Sequence, residues 1–170
     1  MQSKLKDAQT EMNLLQAFAG ESQANRKYLA FARQAEKEGH MQAAKLFRAA
    51  AQAETVHAHA HLKALGKIGS TAENLKSAIA GETYEFMEMY PPMIEAAKRE
   101  GNQAALRSFT YANAVEAVHA SLYQQALDSM DSAIETDYYV CSVCGYTCAD
   151  GAPGACPVCG SSAKAFSKMD

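Results

Sequence analysis

The chain has 170 residues, 48% hydrophobic and 21% charged, a folded globular composition that excludes disorder. A net charge of −3 leaves no basic excess for a nucleic-acid backbone, and no apolar run approaches the roughly 20 residues that span a bilayer. The opening MQSKLKDAQTEMN lacks the apolar stretch of a secretory signal, so a cytoplasmic protein is expected.

Residues 4–135 are rich in Ala, Gln, Glu, Lys, Leu and Met, which is helical composition. Breaks at Gly39-His40, Gly66 to Ser70 and Gly101-Asn102 predict helices over 4–38, 41–66, 72–100 and 103–134. Short connections between long helices imply antiparallel neighbours, hence an all-α, up-down four-helix bundle over residues 1–137. Tyr90-Pro91-Pro92 should bend the third helix, because proline lacks the backbone donor. An internal repeat with an offset of 62 pairs Gly39 with Gly101, Phe47 with Phe109, Glu54 with Glu116, His57 with His119 and Leu65 with Leu127. Its register does not carry cleanly back into the first and third helices.

The anomaly lies on the inward stripes. Glu21 in the first helix, Glu54 and His57 in the second, Glu82 and Glu85 in the third, and Glu116 and His119 in the fourth occupy mid-helix positions where leucine is expected. Glu21 lies roughly five helical turns before Gly39, and Glu54 roughly four after it. Glu85 and Glu116 flank Gly101 at roughly four turns on either side. At about 1.5 Å per residue these levels agree within roughly 5 Å. Five glutamates and two histidines thus converge on one slice of the interior. Bare carboxylates there would each cost up to about 20 kcal/mol on full desolvation, and two divalent cations remove that cost. Oxygen-rich ligands with two imidazoles suit iron or manganese, with zinc as a bench substitute. Each Glu-x-x-His places both side chains on one helical face, and the whole set matches the recurring di-metal carboxylate pattern.

The remaining segment, 138–170, cannot bury enough apolar surface to fold without a metal or a disulfide. All five cysteines lie here. Cys141-Ser-Val-Cys144-Gly and Cys156-Pro-Val-Cys159-Gly form two matching knuckles, and four thiolates mean iron or zinc. Attachment to a redox-capable bundle favours an iron electron-transfer centre over a structural zinc ribbon. Cys148 lacks the knuckle context and is left as a spare thiol.

On these motifs the chain resembles the rubrerythrins, a ferritin-like di-iron bundle followed by a rubredoxin-like four-cysteine iron domain. The resemblance implies a non-haem peroxidase of oxidative-stress defence. It would reduce hydrogen peroxide to water with electrons from an NAD(P)H-dependent reductase or rubredoxin-type donor. It also implies roles: Glu54 and Glu116 bridge two irons, Glu21 and Glu85 are terminal on one, and Glu82 with His119 serves the other. On reduction Glu85 gives way to His57. Glu82 is the additional carboxylate similar to that of rubrerythrins, and Tyr28 and Tyr90 are supporting tyrosines. Cys141, Cys144, Cys156 and Cys159 hold the third iron. The short hinge at Thr136-Asp137 argues against electron transfer within one subunit, so a head-to-tail homodimer or larger oligomer is expected.

His61 continues the inner stripe beyond His57, whereas His59 and His40 are expected in solvent and Met87, Met89 and Met93 in packing near the bend. Two other functions share parts of the pattern. A ferroxidase or iron-storage protein would use the same bundle but gain nothing from the tail. A zinc-ribbon interaction protein would need neither metal to be redox-active.

Overall fold

A computed structural model of the chain describes residues 8–132 and 135–170. The helices run α1 (Ala8–Lys37), α2 (Met41–Ala64), α3 (Thr71–Tyr84), α4 (Tyr90–Glu100) and α5 (Gln103–Asp128), with a π-helical turn over Glu85–Met89 joining α3 to α4. The tail adds strands β1 (Tyr138–Cys141), β2 (Thr147–Ala149) and β3 (Phe166–Lys168). Residues 4–7 and 133–134, at the ends of the first and last predicted helices, lie outside the described residues. α5 stops earlier than its predicted end, at Asp128. There the Ser129 and Ser132 hydroxyls add bonds to the carbonyls of Gln125 and Ser129, which the backbone amides of the same two serines also reach. No helix among the described residues is long and apolar enough to cross a membrane.

The chain divides into two compact units, at Gly69/Ser70. In the first, α1 and α2 pack as a hairpin whose seam is built of small residues: Ala32 and Ala35 on α1, Ala44, Ala51 and Ala58 on α2. Alanines one turn or two turns apart let the backbones approach closely. Asn25 is buried in that seam, and its Nδ2 donates to the Ala51 carbonyl and the Thr55 hydroxyl, both at 2.7 Å. Phe47 closes the turn end against Tyr28 and Phe31.

In the second unit α3 starts from a reciprocal capping box between Ser70 and Glu73. The third predicted helix is not simply bent at Pro91-Pro92. It widens one turn earlier, where the Tyr90 N–H bonds the Glu85 carbonyl five residues back. The two prolines donate nothing to the carbonyls before them, and one extra residue in the turn accommodates their rings. α3 and α4 both pack on α5. The tail sheet has order β2-β1-β3, antiparallel throughout, with Val140 opposite Thr147 and Ser167.

Candidate metal centres

Glu21, Glu54 and His57 in the first unit bring ligand atoms within 4.8 Å of one another, and Glu82, Glu116 and His119 do the same in the second. In each, the histidine Nδ1 faces the glutamate one turn earlier: 2.9 Å from His57 to Glu54 Oε2, 2.8 Å from His119 to Glu116 Oε2. Glu82 Oε2 lies 3.9 Å from His119 Nδ1.

The π-turn explains why these triads correspond. Glu54 and Glu116, like His57 and His119, keep the repeat offset of 62, but Glu21 and Glu82 are separated by 61. One residue added in the π-turn shifts everything upstream of it by one, so Glu82 is the counterpart of Glu21 and Glu85 has no equivalent. Downstream of the turn the offset returns: Tyr28 and Tyr90 are again 62 apart, and each ring centroid lies 6.3 Å from its own phenylalanine, Phe47 or Phe109. The repeat therefore reaches into the first and third helices, with the one-residue change of offset at the π-turn accounting for the register that does not carry cleanly in the sequence. The tyrosine spacing was the available signal.

Carboxylates crowd the second triad. Burial first, then hydrogen bonding with Glu116 and the charges of Glu116 and Glu85, push Glu82 up to about 7. Burial and Glu116 also raise Glu85, against a weaker opposing pull from His119. Burial and the charges of Glu116, Glu85 and Glu82 raise Tyr90. Tyr28 sits between Phe31 and Phe47. His61 is half-buried, whereas His59 and His40 are exposed.

The four cysteines Cys141, Cys144, Cys156 and Cys159 form the third cluster. Sulfur separations are 3.7 Å for Cys141–Cys159 and 3.5 Å for Cys144–Cys156. Each knuckle repeats one hydrogen-bond pattern: Gly145 N–H to the Cys141 carbonyl and Gly160 N–H to that of Cys156, both 2.9 Å. Gly145 (φ 84°) and Gly160 (φ 75°) adopt a left-handed conformation that a side chain would strain. The Ser161 hydroxyl and amide at the Cys159 sulfur lower its thiol to about 6, while burial raises Cys144. Cys148 stays outside the cluster, near the carbonyls of Gly151 and Tyr139.

The tail also touches the helical site of its own chain, which the hinge argument did not anticipate. Lys168 pairs with Asp137 at 2.8 Å and the Asp150 N–H bonds the Asp137 carbonyl, so the hinge leads directly into the sheet. Gly145 lies against the buried Val115 of α5, and His119 Nε2 is 3.0 Å from Thr147 Oγ1. Residues 28 positions apart, in elements of different period, leave no trace of this contact in the sequence.

The family model described as Rubrerythrin matches residues 12–127, and that of the rubrerythrin rubredoxin-like domain matches 139–167. A rubrerythrin of Porphyromonas gingivalis is 37% identical, covering 94% of this chain and 89% of its own. Rubrerythrin-2 of Clostridium acetobutylicum is 35% identical over 92% of this chain and 94% of its own. Nigerythrin of Nitratidesulfovibrio vulgaris is also 35% identical, over 92% and 85%. Among solved structures, partially reduced nigerythrin superposes with a TM-score of 0.59 at 34% identity, covering 99% of this chain and 92% of that one. The fully reduced, all-ferrous state of nigerythrin gives the same TM-score over 98% and 90%.

Proposed function

The chain belongs to the rubrerythrin family, a ferritin-like four-helix fold with a C-terminal rubredoxin-like four-cysteine domain, and on that footing we propose that it is a di-iron peroxidase acting on hydrogen peroxide. The observation that carries this reading is the matched pair of Glu-Glu-His triads followed in the same chain by a four-thiolate cluster. The domain boundary falls near residue 137.

The donor sets fit iron. Five carboxylates nearly neutralise two divalent ions, and a metal relieves the crowding that keeps Glu82 protonated up to about 7. The sulfur separations of 3.5 and 3.7 Å are close to the edge, about 3.8 Å, of a tetrahedron with metal–sulfur bonds of about 2.3 Å. Bound iron supplies Lewis acidity and one-electron redox chemistry. Glu54 and Glu116 would bridge, Glu21 and Glu85 would be terminal on one iron, and Glu82 with His119 would hold the other. His57 would replace Glu85 on reduction. Burial and the charges of Glu116, Glu85 and Glu82 keep the Tyr90 hydroxyl protonated, so it would serve as a proton source for the second triad. The net reaction consumes one hydrogen peroxide, two electrons and two protons and yields two waters. Cys141, Cys144, Cys156 and Cys159 would hold a third iron, whose one-electron chemistry would serve an NAD(P)H-dependent reductase or rubredoxin-type carrier as donor. The working form is a cytoplasmic homodimer or larger oligomer.

Anaerobic stopped flow tests this. One equivalent of peroxide per chain should rapidly reoxidise the reduced protein by two electrons, and excess peroxide should restore the red colour of the cysteine-bound ferric iron. Slow reaction with peroxide, combined with fast dioxygen-driven loading of excess Fe(II), would instead identify a ferroxidase.

A further inference from the structure

We propose that Thr147, a residue of the tail, is a positioning residue for His119 that fixes this imidazole in the form needed to bind a metal. The inference deepens the preceding reading and rests on His119 being a metal ligand. The Thr147 hydroxyl has one proton, and it donates that proton to the Gly145 carbonyl at 3.1 Å. Toward His119 Nε2, at 3.0 Å, the same oxygen is left as an acceptor. Nε2 therefore carries a ring proton, which leaves Nδ1, hydrogen-bonded at 2.8 Å to Glu116 Oε2, as the nitrogen at which a metal would take the place of the bridging proton. A partner on the outer nitrogen commonly sets both the tautomer and the ring orientation of a metal-binding histidine.

Thr147 is itself rigidly held. It opens β2 opposite Val140, next to Cys141, and its acceptor Gly145 directly follows Cys144. His119 and Thr147 share the wall of a cavity of about 290 Å³ with Leu75, Leu122 and Tyr138, an apolar setting that strengthens the hydrogen bond. The chain Cys144–Gly145–Thr147–His119 thus connects the four-cysteine knuckle to one triad within a single chain. His57 has no such partner on its outer nitrogen among the described residues. Among the described residues the tail therefore steadies the second triad and not the first.

The test is a Zn(II) competition titration of the full chain with iron already in its four-cysteine site, comparing wild type, Thr147→Val, Thr147→Ser and His119→Ala. Thr147→Val keeps the shape and loses the hydroxyl. It should weaken one of the two bundle zinc sites about 10- to 100-fold and leave the other unchanged. Thr147→Ser should restore affinity to within about threefold of wild type, an outcome that a packing role for the threonine methyl would not give. Unchanged affinity in Thr147→Val, equal loss at both sites, or failure of serine to rescue would each overturn the proposal. His119→Ala separates the two levels. If it leaves both zinc affinities intact, the ligand reading itself fails. If it removes one site while Thr147→Val removes none, only the role of Thr147 fails.

Discussion

The crowded carboxylates of the second unit make the metal-free protein sensitive to pH in a defined direction. Glu82 titrates near 7 in the folded chain against an ordinary value of 4.5, because burial and the neighbouring Glu116 and Glu85 disfavour its charge. Below pH 4.5 it is protonated in both folded and unfolded chains and contributes no difference. As pH rises from 4.5 to 7 the unfolded state holds a carboxylate that the folded state resists, so stability falls across that window and levels off above 7. The full shift corresponds to roughly 3 kcal/mol at about 1.4 kcal/mol per unit. Glu82 is 20% exposed and shares its proton with Glu116, which reduces the expected effect to about 1–2 kcal/mol. Glu82→Gln keeps the shape and a hydrogen-bond donor toward Glu116 without the charge. Urea unfolding of chelator-treated protein, followed by helical circular dichroism, should show the substitution more favourable at pH 8 than at pH 5 by that amount. An equal effect at both pH values, or a substitution less favourable at pH 8, would refute the argument.

Cys156→Ser removes a sulfur that is almost completely buried, and should abolish the visible spectrum of the tail iron while leaving the helical signal intact. Gly145→Ala meets only an ordinary contact with Val115, so its cost is backbone strain at φ 84°, about 1–2 kcal/mol, read as faster iron loss to a chelator. Asn25→Ala leaves the Thr55 hydroxyl with only its 3.1 Å bond to Ala51 and strips the α1–α2 seam of two hydrogen bonds. It should lower stability by about 2–3 kcal/mol in urea unfolding without changing the spectrum of the tail.

Much of the metal chemistry was legible because ligands must be particular residue types at particular spacings. Two Glu-x-x-His motifs in one repeat register and two Cys-x-x-Cys-Gly knuckles announce themselves in sequence, and the structure gathers their side chains into clusters. The local answer to Pro91-Pro92 was not legible. Two missing donors require an adjustment, but a kink, a break and a π-turn all satisfy it, and packing decides among them. The resemblance already pairs Glu82 with His119, but that Glu85 rather than Glu82 lacks a counterpart in the repeat is visible only in the backbone. Composition also marks a boundary near residue 137, whereas the compact units divide at Gly69/Ser70, because packing of the tail on α5 has no compositional signature.

Two departures from the repeat fall on the same unit, and they bear on how the site responds to oxidation state. The π-turn gives the second unit a surplus carboxylate, Glu85, and the tail gives it a tether, Thr147 on His119. The first unit has neither. Its histidine side chain, His57, is 55% exposed against 27% for His119, and bonds only Glu54 among the described residues. A ligand exchange needs one group free to approach and another able to leave without stranding a buried charge. His57 satisfies the first requirement because no contact among the described residues fixes its outer nitrogen. Glu85 satisfies the second, since burial and Glu116 already raise its affinity for a proton. His119, held at both nitrogens, is suited to stay in place. The asymmetry that breaks the repeat thus falls on the residues for which the proposed Glu85–His57 exchange requires it.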